Sequence, residues 1–105
     1  MKGRILVVDD DPIMVMTLKL HLDKAGFKVE VAENGYEAIE KIDKFQPDAI
    51  LADITMPRMD GYALRRQLLE NPETAGIPFI FLTARAEISE QLEGLRMGAD
   101  DYICK

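Results

Sequence analysis

Ala49-Ile50-Leu51-Ala52-Asp53-Ile54-Thr55-Met56-Pro57 is an apolar run that ends on an acid and is stopped by a proline. Far upstream, Ile5-Leu6-Val7-Val8 ends in the same way, on Asp9, Asp10 and Asp11. Short apolar, β-branched runs that close on polar residues are the pattern of strands buried on both faces of a parallel sheet. In such a sheet all strands end at one edge, where ligands bind. Acids ending two different strands are therefore expected to meet. Clustered carboxylates repel one another, and a hard divalent cation relieves that repulsion. Mg²⁺ suits a site of a few carboxylates, waters and a phosphate.

Composition narrows the class. A chain of 105 residues, 48% of them hydrophobic, holds a single core and leaves no room for a second domain. The formal net charge of −6 argues against direct nucleic-acid binding, since a phosphate backbone is met by clustered Lys and Arg. Cys104 is the only cysteine, so no internal disulfide can form and a reducing compartment fits. The apolar stretch Ile5-Leu6-Val7-Val8 behind the basic N-terminus is too short for a signal peptide or a membrane span. The expectation is a cytoplasmic protein with no membrane segment.

Strand-like and helix-like segments alternate from end to end. Residues 12–25 read as a helix, with Asp11 placed as its cap, Pro12 at its first position and Gly26 after its end. Residues 27–32 alternate as a strand does. A helix over 35–45 follows, with Ala38, Ile39 and Ile42 on one face and the pairs Glu37/Lys41 and Glu40/Lys44 at helical spacing. A strand over 49–52 comes next, then a helix over 59–71 that turns Leu64, Leu68 and Leu69 inward and is halted by Asn71-Pro72. A strand is expected over 79–82, a helix broken by Gly94 over 87–97, and a last short strand over 101–104. There are no repeats, linkers or low-complexity segments. Alternation of this kind implies right-handed βαβ units and a doubly wound α/β sheet.

Four pieces of the chain resemble response-regulator receiver domains: Val7-Val8-Asp9-Asp10-Asp11; Asp53 with Met56-Pro57 and Asp60-Gly61; Phe81-Leu82-Thr83-Ala84-Arg85-Ala86; and Gly98 through Lys105. Each alone is weak, but the four fall in order at successive strand ends. The resemblance implies a flavodoxin-like five-stranded parallel sheet in the order 2-1-3-4-5; the strand order belongs to the family pattern, since these residues alone do not set it. It also implies a site. Asp53 would be the nucleophile that takes a phosphoryl group from the phosphohistidine of a histidine kinase or phosphotransfer protein. Asp9 and Asp10, with Asp53 and the backbone carbonyl of Thr55, would hold Mg²⁺. Lys105 would supply a compact positive charge and Thr83 a hydroxyl to the phosphoryl oxygens, while small Ala84 leaves room for the group. Tyr102 would carry the signal, turning inward as the Thr83 hydroxyl moves toward the phosphate.

Other residues have plainer explanations. Asp11 is explained as a helix cap, and Asp60-Gly61 as the start of the third helix. His21 lies mid-helix and is expected to be exposed, and Cys104 reads as a small core residue. Two other functional classes fit the fold. One is an interaction module that works without phosphorylation. The other is a Mg²⁺-dependent phosphohydrolase of the haloacid dehalogenase type, but that family places a second Asp where this chain has Thr55. Receivers normally continue beyond the lysine into a fifth helix, so the expectation is a receiver over residues 1–105 that is truncated after the fifth strand. The first helix is apolar around much of its circumference, at Ile13, Met14, Val15, Met16, Leu18, Leu20 and Leu22. Some of these should stay uncovered, which favours self-association through that face.

Overall fold

The runs Ile5-Leu6-Val7-Val8 and Ala49-Ile50-Leu51-Ala52 are apolar throughout because each strand alternates between two separate cores. Leu6, Val8, Ile50 and Ala52 point to one side, and Ile5, Val7 and Leu51 to the other. The computed structural model describes residues 3–54, 56, 58–83 and 101–104, with Thr83 and residues 101–104 as backbone alone. In chain order the elements are β1 (Arg4–Val8), α1 (Pro12–Lys24), β2 (Lys28–Ala32), α2 (Gly35–Phe45), β3 (Ala49–Asp53), α3 (Gly61–Leu69), α4 (Pro72–Ala75), β4 (Phe79–Thr83) and β5 (Asp101–Cys104). The five strands are parallel, in the order β2-β1-β3-β4-β5. The sheet is thus the flavodoxin-like one implied by the resemblance. The expected helix over 87–97 lies outside the described residues.

α1 covers one face. Val15, Leu18 and Leu22 pack there against Ile5, Val7, Leu51 and Leu82. Its start is set as expected, since Ile13 and Met14 donate their backbone N–H groups to Asp11 Oδ1 at 3.0 and 3.4 Å, with Pro12 at the first position. The opposite side of α1 carries Ile13, Met16 and Leu20, which are 75, 71 and 56% exposed. His21 is exposed as well.

α2 and α3 cover the other face with Ala38, Ile42, Leu64 and Leu68, all buried against Phe79 and Phe81. Burial of a Leu, Ile or Phe side chain stabilises by roughly 1.5–3 kcal/mol. Phe81 is held edge-on between Tyr62 and Phe79, with ring centroids 5.1 and 5.0 Å away. α2 matches its expected span, and Asn34 caps it by accepting from Glu37 N at 2.9 Å. Its Lys41 reaches Glu37 at 3.1 Å and Glu30 of β2 at 3.3 Å, and donates to the Val31 carbonyl. Glu40 and Lys44, spaced alike, form no ion pair among the described residues.

The third helix departs from its expected span. It starts at Gly61 and not at Met59, because the Asp60 carboxylate takes the Ala63 N–H at 2.8 Å and so acts as the cap. Met59 is left outside the helix and buried against Gly35. Leu69 is 40% exposed, since the inward face of α3 is taken by Gly61, Leu64, Arg65 and Leu68. At the far end Asn71 does more than halt the chain. Its side chain accepts from Glu73 N at 3.0 Å and opens the short helix α4, which periodicity does not reveal.

Candidate functional site

Register brings the acids together. In the β1–β3 pairing Val8 stands opposite Ala52, so the residues that follow, Asp9 and Asp53, leave the sheet side by side. Asp53 is the last residue of β3 and is also paired on its other flank, opposite Leu82 of β4. Asp9 and Asp53 are 1 and 3% exposed, whereas Asp10 is exposed. The turn after β1 is held by the Asp9 N–H donating to the Ala32 carbonyl and by Asp9 Oδ1 accepting from Asp11 N, each at 3.0 Å. One carboxylate oxygen from each of Asp9, Asp10 and Asp53 lies within 4.8 Å of the others. Asp11 stands apart from this group, its carboxylate engaged in capping α1.

Two ionised carboxylates at such a separation repel by about 3 kcal/mol at an effective dielectric near 20. A cation held among the three, two of which are buried, would offset that repulsion. The donor set is made of carboxylate oxygens alone, which matches hard divalent ions and not the thiolate or imidazole sets of zinc. The residues present therefore fit Mg²⁺.

Asp60-Gly61 shapes the start of α3 as expected, and the structure adds a contact with the site. Gly61 donates its N–H to the Ile54 carbonyl at 2.9 Å, and a Cβ on Gly61 would lie 2.4 Å from the Asp53 carbonyl oxygen. The first turn of α3 is thus seated directly on the end of β3. Sequence reasoning takes Gly61 only as a helix-start residue.

Arg58 escapes sequence reasoning as well. It has a positive φ of 68° although it is not a glycine, a left-handed geometry that costs roughly 1–2 kcal/mol for an L-residue. It is exposed and borders a cleft of about 400 Å³ together with Asp9, Asp10, Pro12, Glu33 and Asn34. No sequence pattern marks such a backbone.

The remaining expected site residues are placed less fully. Thr83 ends β4, its backbone paired with Cys104 and one step beyond the Asp53–Leu82 pair. Tyr102 pairs with Phe81 in β5. Thr55 and Lys105 lie outside the described residues, as do Ala84 and Gly98.

The profile of the response regulator receiver domain family matches residues 5–105. The chain belongs to that family. Response regulator MprA of Mycobacterium ulcerans is 45% identical over all 105 residues, and the receiver spans 44% of that relative's length. Among solved structures, the signal receiver domain of a signal transduction histidine kinase from Syntrophus aciditrophicus is 41% identical, with a TM-score of 0.89 over 98% of this chain and 78% of that one. The receiver domain of a sensor histidine kinase from Pseudomonas aeruginosa PAO1, with a magnesium ion coordinated in its active-site cleft, is 30% identical. It gives a TM-score of 0.88 over 98% of this chain and 84% of that one. This receiver is accordingly a signalling domain of two-component systems. Among the described residues no helix is long and apolar enough to cross a membrane.

Proposed function

We propose that this receiver accepts a phosphoryl group on Asp53 from the phosphohistidine of a partner histidine kinase or phosphotransfer protein. The observation that carries this reading is the buried strand-end carboxylate of Asp53 held within 4.8 Å of those of Asp9 and Asp10. An Asp53 carboxylate oxygen attacks phosphorus in line. The P–N bond to the donor imidazole breaks, and the ring nitrogen keeps the electron pair. Burial of Asp53 limits the access of water to the acyl phosphate formed, so that its hydrolysis is slow.

Asp9, Asp10 and Asp53 would hold Mg²⁺, with the backbone carbonyl of Thr55 added by the family resemblance. When bound, the ion offsets the charge of the phosphoryl oxygens and of the acids themselves. Lys105 would place its ammonium against a phosphoryl oxygen, and Thr83 would donate its hydroxyl to the same group. Tyr102 would follow Thr83, which makes the β4–β5 edge the surface that an output partner reads. The receiver would act in the cytoplasm. With Thr55 where a haloacid-dehalogenase-type enzyme has its second Asp, the chain lacks the acid–base group for rapid turnover.

The test is incubation with acetyl phosphate and Mg²⁺, followed by intact-mass measurement. A single labile phosphoryl adduct is expected, lost in Asp53→Asn and on chelation of the metal. An equal adduct on the Asp53→Asn protein would overturn the reading. Release of many equivalents of phosphate would favour a phosphohydrolase, and the absence of any adduct would favour a phosphorylation-independent module.

A further inference from the structure

Three carboxylates border the cleft beside the acids. These are Asp9, Asp10 and Glu33, and Arg58 is the one cation among the described residues that line it. A phosphodonor is itself an anion, so this field opposes its approach. Arg58 is exposed, and among the described residues its guanidinium forms no hydrogen bond or ion pair, although acids border the same cleft. It is carried at the cleft edge by a left-handed backbone, a geometry that Gly or Asn would occupy with less strain.

We propose that Arg58 is a specificity-determining residue that favours phosphodonors whose leaving group is an anion. The inference rests on the phosphoacceptor reading of Asp53. When an acyl phosphate gives its phosphoryl group to Asp53, the bond between phosphorus and the bridging oxygen breaks and a carboxylate departs with the electron pair. Negative charge grows on that oxygen in the transition state. A guanidinium at the mouth of the cleft stabilises this charge more than it stabilises the ground-state donor, which raises the rate of transfer. With a phosphoramidate the P–N bond breaks and the nitrogen leaves as a neutral amine after taking a proton. Arg58 has no growing anion to meet there. The same residue thus separates small acyl phosphates from nitrogen-linked donors, the chemical class to which phosphohistidine belongs.

The experiment compares phosphorylation rates with acetyl phosphate and with phosphoramidate, both with Mg²⁺, in the parent chain, Arg58→Asn and Arg58→Lys. Asn tolerates the left-handed backbone, so charge is removed without adding strain. The ratio of the acetyl phosphate rate to the phosphoramidate rate is expected to fall by about threefold or more in Arg58→Asn, to be largely restored in Arg58→Lys, and to converge between variants as salt rises. Thermal melts of the three proteins report on folding, and a ratio of two rates measured on the same sample is insensitive to a partly unfolded fraction. An unchanged ratio with both donors active would overturn the role of Arg58 alone. Failure of both donors to label Asp53 in the parent chain would overturn the phosphoacceptor reading and this inference with it.

Discussion

Gly61 and Asp53 touch through their backbones: a methyl group on Gly61 would stand 2.4 Å from the Asp53 carbonyl oxygen and 3.0 Å from Ile54 Cα. Both neighbours are main chain, in or beside a central strand of the sheet, and neither can yield locally. Gly61→Ala is therefore expected to destabilise by about 1–3 kcal/mol, the usual range for overpacking. It should also slow labelling of Asp53, because relief of the clash shifts the end of β3. Urea denaturation and the labelling rate check this, and a variant equal to the parent in both would refute the contact.

Asp10 and Asp11 are neighbours with different tasks. Asp11 caps α1 through Ile13 N and Met14 N, while Asp10 belongs to the acid cluster. Asp11→Ala should lower stability by about 1 kcal/mol with little change in Mg²⁺ affinity. Asp10→Ala should weaken Mg²⁺ binding by far more and leave the metal-free fold as stable or slightly more so, since a repelling charge is gone. Calorimetric metal titration beside a melt of each variant decides the matter, and equal loss of metal affinity in both would contradict the division.

The Glu30–Lys41–Glu37 group gives a pH signature. Burial alone would raise the Glu30 pKa, but the Val31 N–H and the Lys41 ammonium more than offset it and hold the carboxyl below its ordinary value. Burial likewise would lower Lys41, and hydrogen bonds and attraction to Glu37 and Glu30 more than offset it, so its pKa lies above the ordinary one. A lowered carboxylate pKa contributes stability above the unfolded-state value that is lost as pH falls through the folded one. A raised lysine pKa contributes stability below the unfolded-state value that is lost as pH rises through the folded one. Lys41→Met should therefore be less stable than the parent by a steady margin at neutral pH. The margin should narrow below about pH 4.5 and again above about pH 10.5. Each side chain is a third or more exposed or close to it, so the margin is under about 1 kcal/mol after solvent screening. Melts across the pH range would show a flat difference if the cluster is inert.

Gln46 ends α2 with a φ of 51°, in the left-handed region, while its N–H donates to the Ile42 carbonyl at 2.8 Å. Gly at this position removes the Cβ penalty, and Gln46→Gly is expected to gain about 0.5–1 kcal/mol in stability. The site is remote from the acids, so the labelling rate of Asp53 should not change. A lower melting temperature for the variant would show that chain entropy outweighs the relieved strain.

Much of this protein is local and was legible in its residues. Strands β1 and β3 are written in uninterrupted apolar runs, because a strand buried on both faces has no polar side. The start of α1 follows from Asp11-Pro12, since a cap is a bond between a side chain and the N–H groups a few positions on. That Asp9 and Asp53 end their strands was visible too, and the shared edge of a parallel sheet made their meeting an expectation. The order of the strands was not visible in any of these residues and came from family resemblance, because pairing partners are chosen by packing across the whole sheet.

Tertiary structure alone decided the rest. Met59 has the apolar character of a helix residue, yet it sits outside α3, packed on Gly35, because the Asp60 cap and the Gly61–Asp53 contact set where the helix can begin. Leu69 looked like a core residue and is exposed, because α3 presents only one face to the sheet. The 4.8 Å spacing of Asp9, Asp10 and Asp53 depends on the Val8–Ala52 register, and a slip of one residue would turn every side chain to the other face. The left-handed backbone of Arg58 is likewise invisible in sequence, since a strained torsion is held by the structure around it and not by the residue that adopts it.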